Sequence, residues 1–105
     1  MAGRPRKVVD DRLYLSKAKG GGVLRREIWV DEHGLVVRYN LAYINPLICA
    51  VDNGRVLGYD SAHGQHHRHF MGETSPGGRK GFAAIERRFQ QEWLALVKER
   101  THGKD

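Results

Sequence analysis

Four of the six histidines of this 105-residue chain lie within seven residues of one another. The run consists of His63, His66, His67 and His69, and Arg68 lies among them. Imidazole has an unperturbed pKa near neutrality, so such a cluster could transfer protons, contact phosphate or bind a metal ion. These residues are therefore the first candidates for a functional site.

Cleavage of RNA without a metal requires two groups that transfer protons and one that carries positive charge. A base removes the proton of the 2′-hydroxyl, an acid protonates the 5′-oxygen, and Arg or Lys stabilises the charge of the phosphorane. In an extended segment His67 and His69 lie on one side, and His66 and Arg68 lie on the other. The catalytic candidates are therefore His63, His66, His67, His69 and Arg68.

Two other interpretations of the same residues are open. His63, His67 and His69 could offer three imidazoles to a zinc ion. However, the sequence contains no cysteine pair and no HExxH motif, and Arg68 would repel a dication nearby. We therefore predict no metal and no other cofactor. The second alternative is a polar loop whose histidines hydrogen-bond locally or recognise a partner without catalysis.

The net charge of +6 is concentrated near the start of the chain. Residues 1 to 26 contain eight Lys and Arg against two Asp, whereas the remaining residues contain ten basic and ten acidic groups. This distribution favours a polyanionic partner, because Lys and Arg contacts to phosphate release counterions. A solubilising tail is the alternative. The candidate nucleic-acid contacts are Arg4, Arg6, Lys7, Arg38, Arg79 and Lys80.

Alternation of apolar residues at period two predicts the strands that would position these side chains. An Asn53-Gly54 hairpin turn is expected between the last two strands. Residues 61–80 lack a clear period and contain several glycines, so they predict a loop that carries the histidines. The expected strands lie within residues 11–18 and at 24–30, 35–44, 47–51 and 55–60.

An apolar stripe of helical period follows this loop. It predicts a helix from about residue 79 to about residue 100, packed on the sheet face that holds Val37, Tyr39 and Leu41. The expected fold class is α+β, an antiparallel sheet of about four to five strands with a C-terminal amphipathic helix on one face. The stripe consists of Phe82, Ile85, Phe89, Trp93 and Leu96.

The length of the chain is suited to one domain. We expect a flexible basic terminus over residues 1–10, an α+β domain over 11–100 and a frayed end over 101–105. No stretch approaches the ~20 apolar residues that span a bilayer, so no membrane partner is expected. The single Cys49 cannot form an intramolecular disulfide, which favours a reducing, cytoplasmic environment.

Two stretches of the chain resemble the TumE-type toxins of bacterial type II toxin–antitoxin modules. They are VDNGRVLGYD over residues 51–60 and AHGQHHRH over residues 62–69, and the similarity extends over roughly residues 24–95. The resemblance implies a small toxin with endoribonuclease-type activity, neutralised by a cognate DNA-binding antitoxin protein. It assigns no individual catalytic residue, so the site candidates rest on the chemistry described above.

The sequence therefore predicts the toxin component of such a module, a metal-independent endoribonuclease that acts on RNA through its histidine cluster. The alternative is a non-enzymatic nucleic-acid-binding or regulatory protein in which the basic N-terminal residues do the binding. Both interpretations leave open whether the chain forms a homodimer.

Overall fold

The computed structural model describes residues 4–62, 64–78 and 81–102. These residues contain six antiparallel strands and one α-helix. Each strand pairs with its neighbour in sequence, so the sheet order is β1 to β6. The predicted α+β class is confirmed, with six strands rather than four to five. The elements are β1 (Arg6–Tyr14), β2 (Val23–Val30), β3 (Val36–Ile44), β4 (Arg55–Ala62), β5 (Gln65–Phe70), β6 (Glu73–Pro76) and α1 (Phe82–His102).

The core lies between α1 and one face of the sheet. Ile85 and Phe89 of α1 are 2% and 3% exposed, and they pack on tyrosine and leucine side chains of the central strands β3 and β4. The rest of the predicted apolar stripe, Phe82, Trp93 and Leu96, is partly buried against the same core. The predicted amphipathic helix and its packing on the sheet are therefore confirmed. The main sheet residues of the core are Leu24, Ile28, Tyr39, Leu41, Tyr43, Leu57 and Tyr59.

The start of β3 departs from the predicted alternation. Leu35 and Val37 are 65% and 46% exposed, so neither contributes to the core as expected. In the pairing of β2 with β3, Trp29 lies opposite Arg38, and the next residue of β2 lies opposite Val36. Val37 therefore has no directly opposing residue. This β-bulge changes which face the side chains occupy, and the regular inward alternation begins only at Tyr39.

The predicted buried strand at residues 47–51 is wrong. These residues form a turn in the connection between β3 and β4, and Leu47 is 88% exposed. The buried side chain of Asn45 stabilises this turn, because its Oδ1 accepts a hydrogen bond from the backbone N–H of Leu47 at 3.1 Å. The Asn53-Gly54 pair lies in a short 3₁₀ turn before β4, and the partner of β4 is β3.

The predicted loop over residues 61–80 is also wrong for most of its length, because β4 continues to Ala62 and two more strands follow. Met71 and Gly72 both have positive φ angles, of 51° and 87°. Two such residues in succession are typical of the tight turns that join antiparallel strands with the correct twist. His66, His67 and His69 therefore lie in a strand, β5.

The two ends of the chain also differ from expectation. Residues 6–10, predicted as part of a flexible terminus, form the start of β1, where Arg6 pairs with Val30 and Asp10 with Glu27. Of the end expected to be frayed, residues 101 and 102 belong to α1, and residues 103–105 lie outside the described part of the chain. Within the described residues, no helix is long and apolar enough to cross a membrane.

Candidate functional site

Strand β5 divides the last four residues of the histidine run, 66–69, between the two faces of the sheet. His66 and Arg68 lie on the face that α1 covers, while His67 and His69 lie on the opposite face, which we call the open face. The alternation expected from the sequence is therefore confirmed. His63, together with the proposed phosphate contacts Arg79 and Lys80, lies outside the described residues. The four described candidates thus form two separate clusters.

On the open face a single carboxylate joins the two histidines. Asp60 of β4 lies directly opposite His67 in the sheet register. Its Oδ2 lies 2.8 Å from Nε2 of His69, a hydrogen-bond distance, and its Oδ1 lies 3.6 Å from Nδ1 of His67. Asp60 therefore lies between both imidazoles, which share one surface of the sheet.

Arg55 at the start of β4 closes this cluster from the other side. Its guanidinium donates to both carboxylate oxygens of Asp52, at 2.8 and 3.0 Å, and lies 3.4 Å from Asp60. These hydrogen bonds lower the pKa of Asp52, even though partial burial opposes the shift. Arg55 thus lies between two carboxylates, next to the histidines.

The same arginine determines the tautomer of His69. Nη2 of Arg55 lies 3.1 Å from Nδ1 of His69, and a guanidinium can only donate, so Nδ1 must accept. Nε2 therefore carries the proton and donates to Asp60. His69 is engaged at both ring nitrogens, whereas Nε2 of His67 has no hydrogen-bond partner among the described residues. Of the two open-face histidines, only His67 therefore has a ring nitrogen without a hydrogen-bond partner among the described residues.

A groove with a volume of about 400 Å³ adjoins the cluster on the open face. Its walls include Asp60 and Arg55 at one end and Trp29 and Arg38 at the other. The guanidinium carbon of Arg38 lies 4.7 Å from the centre of the Trp29 ring. An exposed arginine beside an aromatic ring could contact a phosphate and a stacked base of a single-stranded nucleic acid.

The side chain of Arg68 lies on the other face of the sheet, the one that α1 covers. It donates to Glu92 of α1 at 2.6 Å and to the hydroxyl of Tyr59 at 3.0 Å, and that hydroxyl in turn donates to Glu92. Burial alone would raise the pKa of Glu92, but the hydrogen bonds from Arg68 and Tyr59 outweigh it and lower the pKa. Burial is also the main cause of the raised pKa of Tyr59. Arg68 therefore anchors α1 to the sheet, away from His67 and His69.

His66 belongs to this second cluster. Its Nδ1 lies 2.6 Å from the hydroxyl of Tyr39, and the two rings stack with their centres 5.6 Å apart. Burial raises the pKa of Tyr39 far above its ordinary value, so the phenol remains protonated beside His66. The Tyr39 ring also contacts Phe82 of α1. His66 is thus a packing and hydrogen-bonding residue at the edge of the core.

The proposed nucleic-acid contacts near the start of the chain divide in a similar way. Arg4 and Arg6 are exposed. Lys7 is engaged on the open face, where it pairs with Glu27 at 2.7 Å and with Asp10 at 3.0 Å and lies 5.0 Å from the centre of the Trp29 ring. Glu27 is itself part of the groove wall, so Lys7 is neutralised there and Arg38 is the exposed basic residue of the groove.

Sequence reasoning missed three residues that define the open-face site, namely Asp60, Arg55 and Trp29. Asp60 shares a face with His67 because β4 and β5 form a hairpin, where the sequence suggested a loop. Arg55 shares that face because the register of β4 shifts between Arg55 and Leu57. A period-two reading of residues 65–70, QHHRHF, would have predicted the strand. Trp29 could have been found as the one aromatic residue on the polar side of β2.

Within the described residues, no three His, Cys, Asp or Glu side chains are arranged to hold a metal ion. Comparisons of the chain with protein-family models, curated proteins and solved structures yielded no match. The resemblance to TumE-type toxins thus remains a prediction from the sequence.

Proposed function

We propose that the open face is the active site of an endoribonuclease that cleaves single-stranded RNA without a metal. The observation that carries this proposal is the Asp60 carboxylate between His67 and His69, at the wall of a groove that also contains Arg38 and Trp29. Paired imidazoles, a carboxylate that orients them and arginines for the phosphate are the groups that 2′-hydroxyl attack requires.

The roles follow from the hydrogen bonds. His67 would remove the 2′-hydroxyl proton, because its Nε2 is available. Arg55 would turn toward the bound phosphate and leave Nδ1 of His69, which could then take up a proton while Asp60 and Asp52 balance the charge. Protonated His69 would donate to the leaving 5′-oxygen, and the product would end in a 2′,3′-cyclic phosphate.

RNA recognition would use the other end of the groove. The Trp29 ring offers a stacking surface for a base, and Arg38 is exposed beside it. Stacking of this kind tolerates different bases, so the groove would favour unpaired RNA over a duplex.

The proposal is tested by incubating the purified protein with a labelled single-stranded oligoribonucleotide in the presence of EDTA. His67→Ala should reduce cleavage by a factor of about 10² to 10⁴, the usual contribution of a general acid or base. His33→Ala is the matched control, since His33 lies in the β2–β3 turn with a side chain that is 75% exposed. Equal cleavage by the two variants, or cleavage of a DNA oligonucleotide of the same sequence, would refute the mechanism.

The second candidate function is RNA binding without catalysis. It is favoured by the engagement of both ring nitrogens of His69 and by the position of Arg68 on the other face. In that case RNA would bind but remain intact. Trp29→Ala or Arg38→Ala would then weaken affinity, whereas His67→Ala would change nothing.

The resemblance in sequence supports one further part of the proposal, a toxin role in the cell with a cognate DNA-binding antitoxin protein as partner. Induced expression of the wild-type chain should arrest bacterial growth, and His67→Ala at the same protein level should not. Growth arrest by both chains would separate toxicity from RNA cleavage and contradict this role.

A further inference from the structure

Strand β1 lies at one edge of the sheet. Its inner side pairs with β2, and no segment among residues 4–62, 64–78 and 81–102 pairs with its outer side. It is nine residues long, and eight of the nine are exposed. An edge of this length is a template for another strand, and proteins commonly protect such edges with charged side chains.

The charges of β1 are ordered in an unusual way. Arg6 and Lys7 are followed by Val8 and Val9 and then by two aspartates, so the segment reads basic–basic, apolar–apolar, acidic–acidic. When two copies run antiparallel, each basic residue of one copy faces an acidic residue of the other. The four charged residues of each copy would therefore attract the second copy rather than repel it.

A β-bulge in β1 places the two members of each charge pair on the same face of the sheet. In a regular strand, Lys7 and Asp10 would lie on opposite faces, as would Arg6 and Asp11. The register of β1 shifts at Val8, so Lys7 and Asp10 lie opposite Trp29 and Glu27 on the open face. Their 3.0 Å ion pair shows that they share this face.

Arg6 and Asp11 share the other face for the same reason. They lie opposite Val30 and Arg26, two residues of β2 that face α1. Opposing residues in a pair of strands must lie on the same face, and the bulge provides this condition for both charge pairs. A shift of the pairing by two residues toward the end of β1 would place Lys7 opposite Arg12, so like charges disfavour that register.

We propose that a second copy of this chain pairs antiparallel along the outer edge of β1. Arg6 lies opposite Asp11 of the other copy, Lys7 opposite Asp10, and Val8 opposite Val9. The result is one continuous twelve-stranded sheet with a two-fold axis between the valines. This interface does not depend on the chemistry proposed for the histidines.

The symmetry has a consequence for the open face. A two-fold axis that joins antiparallel edge strands is perpendicular to the sheet, so both open faces lie on the same side of the dimer. The two Trp29–Arg38 grooves would then flank the interface, five strand spacings or about 24 Å apart from β3 to β3. Their separation would be suited to one extended ligand that contacts both.

The test uses the outer charge pair, because Arg6 is exposed and Asp11, with a side chain that is 65% exposed, makes only a 3.8 Å contact to Arg26. Sedimentation equilibrium at low salt should show a dimer for the wild-type chain. Arg6→Asp and Asp11→Arg, each alone, should raise the dimer dissociation constant by about a hundredfold, because each places like charges opposite each other.

Two combinations should restore association. The double variant Arg6→Asp/Asp11→Arg again opposes unlike charges and should dimerise like the wild type. An equimolar mixture of the two single variants should form a heterodimer. If a single variant lost association because its fold was damaged, recombining the charges would not restore the dimer. Circular dichroism would detect such damage directly.

A wild-type chain that remains monomeric at about 0.1 mM would overturn the proposal and identify the charges of β1 as protection against pairing. Dimers with a dissociation constant that neither single variant changes would overturn it as well, because another surface would then form the interface.

Discussion

Replacement of Arg68 by alanine is expected to destabilise the fold while leaving the open-face site intact. Arg68 supplies two hydrogen bonds on the helix-facing side, to Glu92 at 2.6 Å and to Tyr59 at 3.0 Å. Its loss leaves the Glu92 carboxylate partly buried, with the Tyr59 hydroxyl as its main remaining partner on the sheet. The attachment of α1 to β4 and β5 should therefore weaken.

The size of the effect follows from the chemistry and exposure of the pair. A hydrogen bond to a charged group contributes about 1.5–3 kcal/mol. The side chains of Arg68 and Glu92 are 22% and 27% exposed, so water can replace part of this interaction. We therefore expect a loss of about 2 kcal/mol in the free energy of unfolding. For a domain of this size that corresponds to a decrease in Tm of roughly 8–16 °C.

Urea unfolding followed by circular dichroism measures this change, and Arg87→Ala on the exposed side of α1 is the control. A double-mutant cycle with Glu92→Gln should show strong non-additivity, because both substitutions remove the same interaction. RNA cleavage per folded molecule should stay near the wild-type value. Unchanged stability together with reduced cleavage would refute this reasoning and return Arg68 to the active site.

Three further predictions concern the core, the pH dependence and the basic residues. Phe89→Ala should cost about 3–5 kcal/mol of stability in urea unfolding and more than Trp93→Ala, because Phe89 is fully buried and Trp93 only partly so. The pKa of Glu92 is lowered in the folded state, so its carboxylate should contribute its full stabilisation above the unfolded pKa of about 4.3. This contribution should be lost as the pH falls through the folded-state pKa, and Glu92→Gln should flatten this part of the plot of unfolding free energy against pH. Combined Arg4→Ala and Arg6→Ala should reduce the slope of log K against log salt for nucleic-acid binding by up to about 2, and an unchanged slope would show that neither arginine contacts the backbone.

The parts of the fold that could be predicted are those with a regular period over many residues. The helical stripe from Phe82 to Leu96 located α1, and the apolar alternation from Tyr39 to Tyr43 located the inward face of β3. Prediction failed where one side chain or one irregularity decides the local structure. The hydrogen bond accepted by Asn45 stabilises a turn where the apolar residues predicted a strand. The bulge near Val37 places the residues before Tyr39 on other faces of the sheet than the alternation predicted.

The site was predictable only in part for a related reason. The alternation of β5 follows from its sequence, and it separated His67 and His69 from Arg68 as expected. The partners of these residues come from other strands, so they depend on register. Asp60 lies opposite His67 because of the length of the β4–β5 turn. Amino-acid composition does not predict the length of that turn.

The order of the strands has a consequence for how the protein folds. Because each strand pairs with its neighbour in sequence, the sheet can form hairpin by hairpin with short loop closures, which favours rapid folding. The helix that covers the sheet follows all six strands in the chain. During synthesis, the face that carries Leu41, Tyr43 and Tyr59 therefore remains uncovered until residues 82–102 have left the ribosome, and nascent chains at that stage should be the most prone to aggregate.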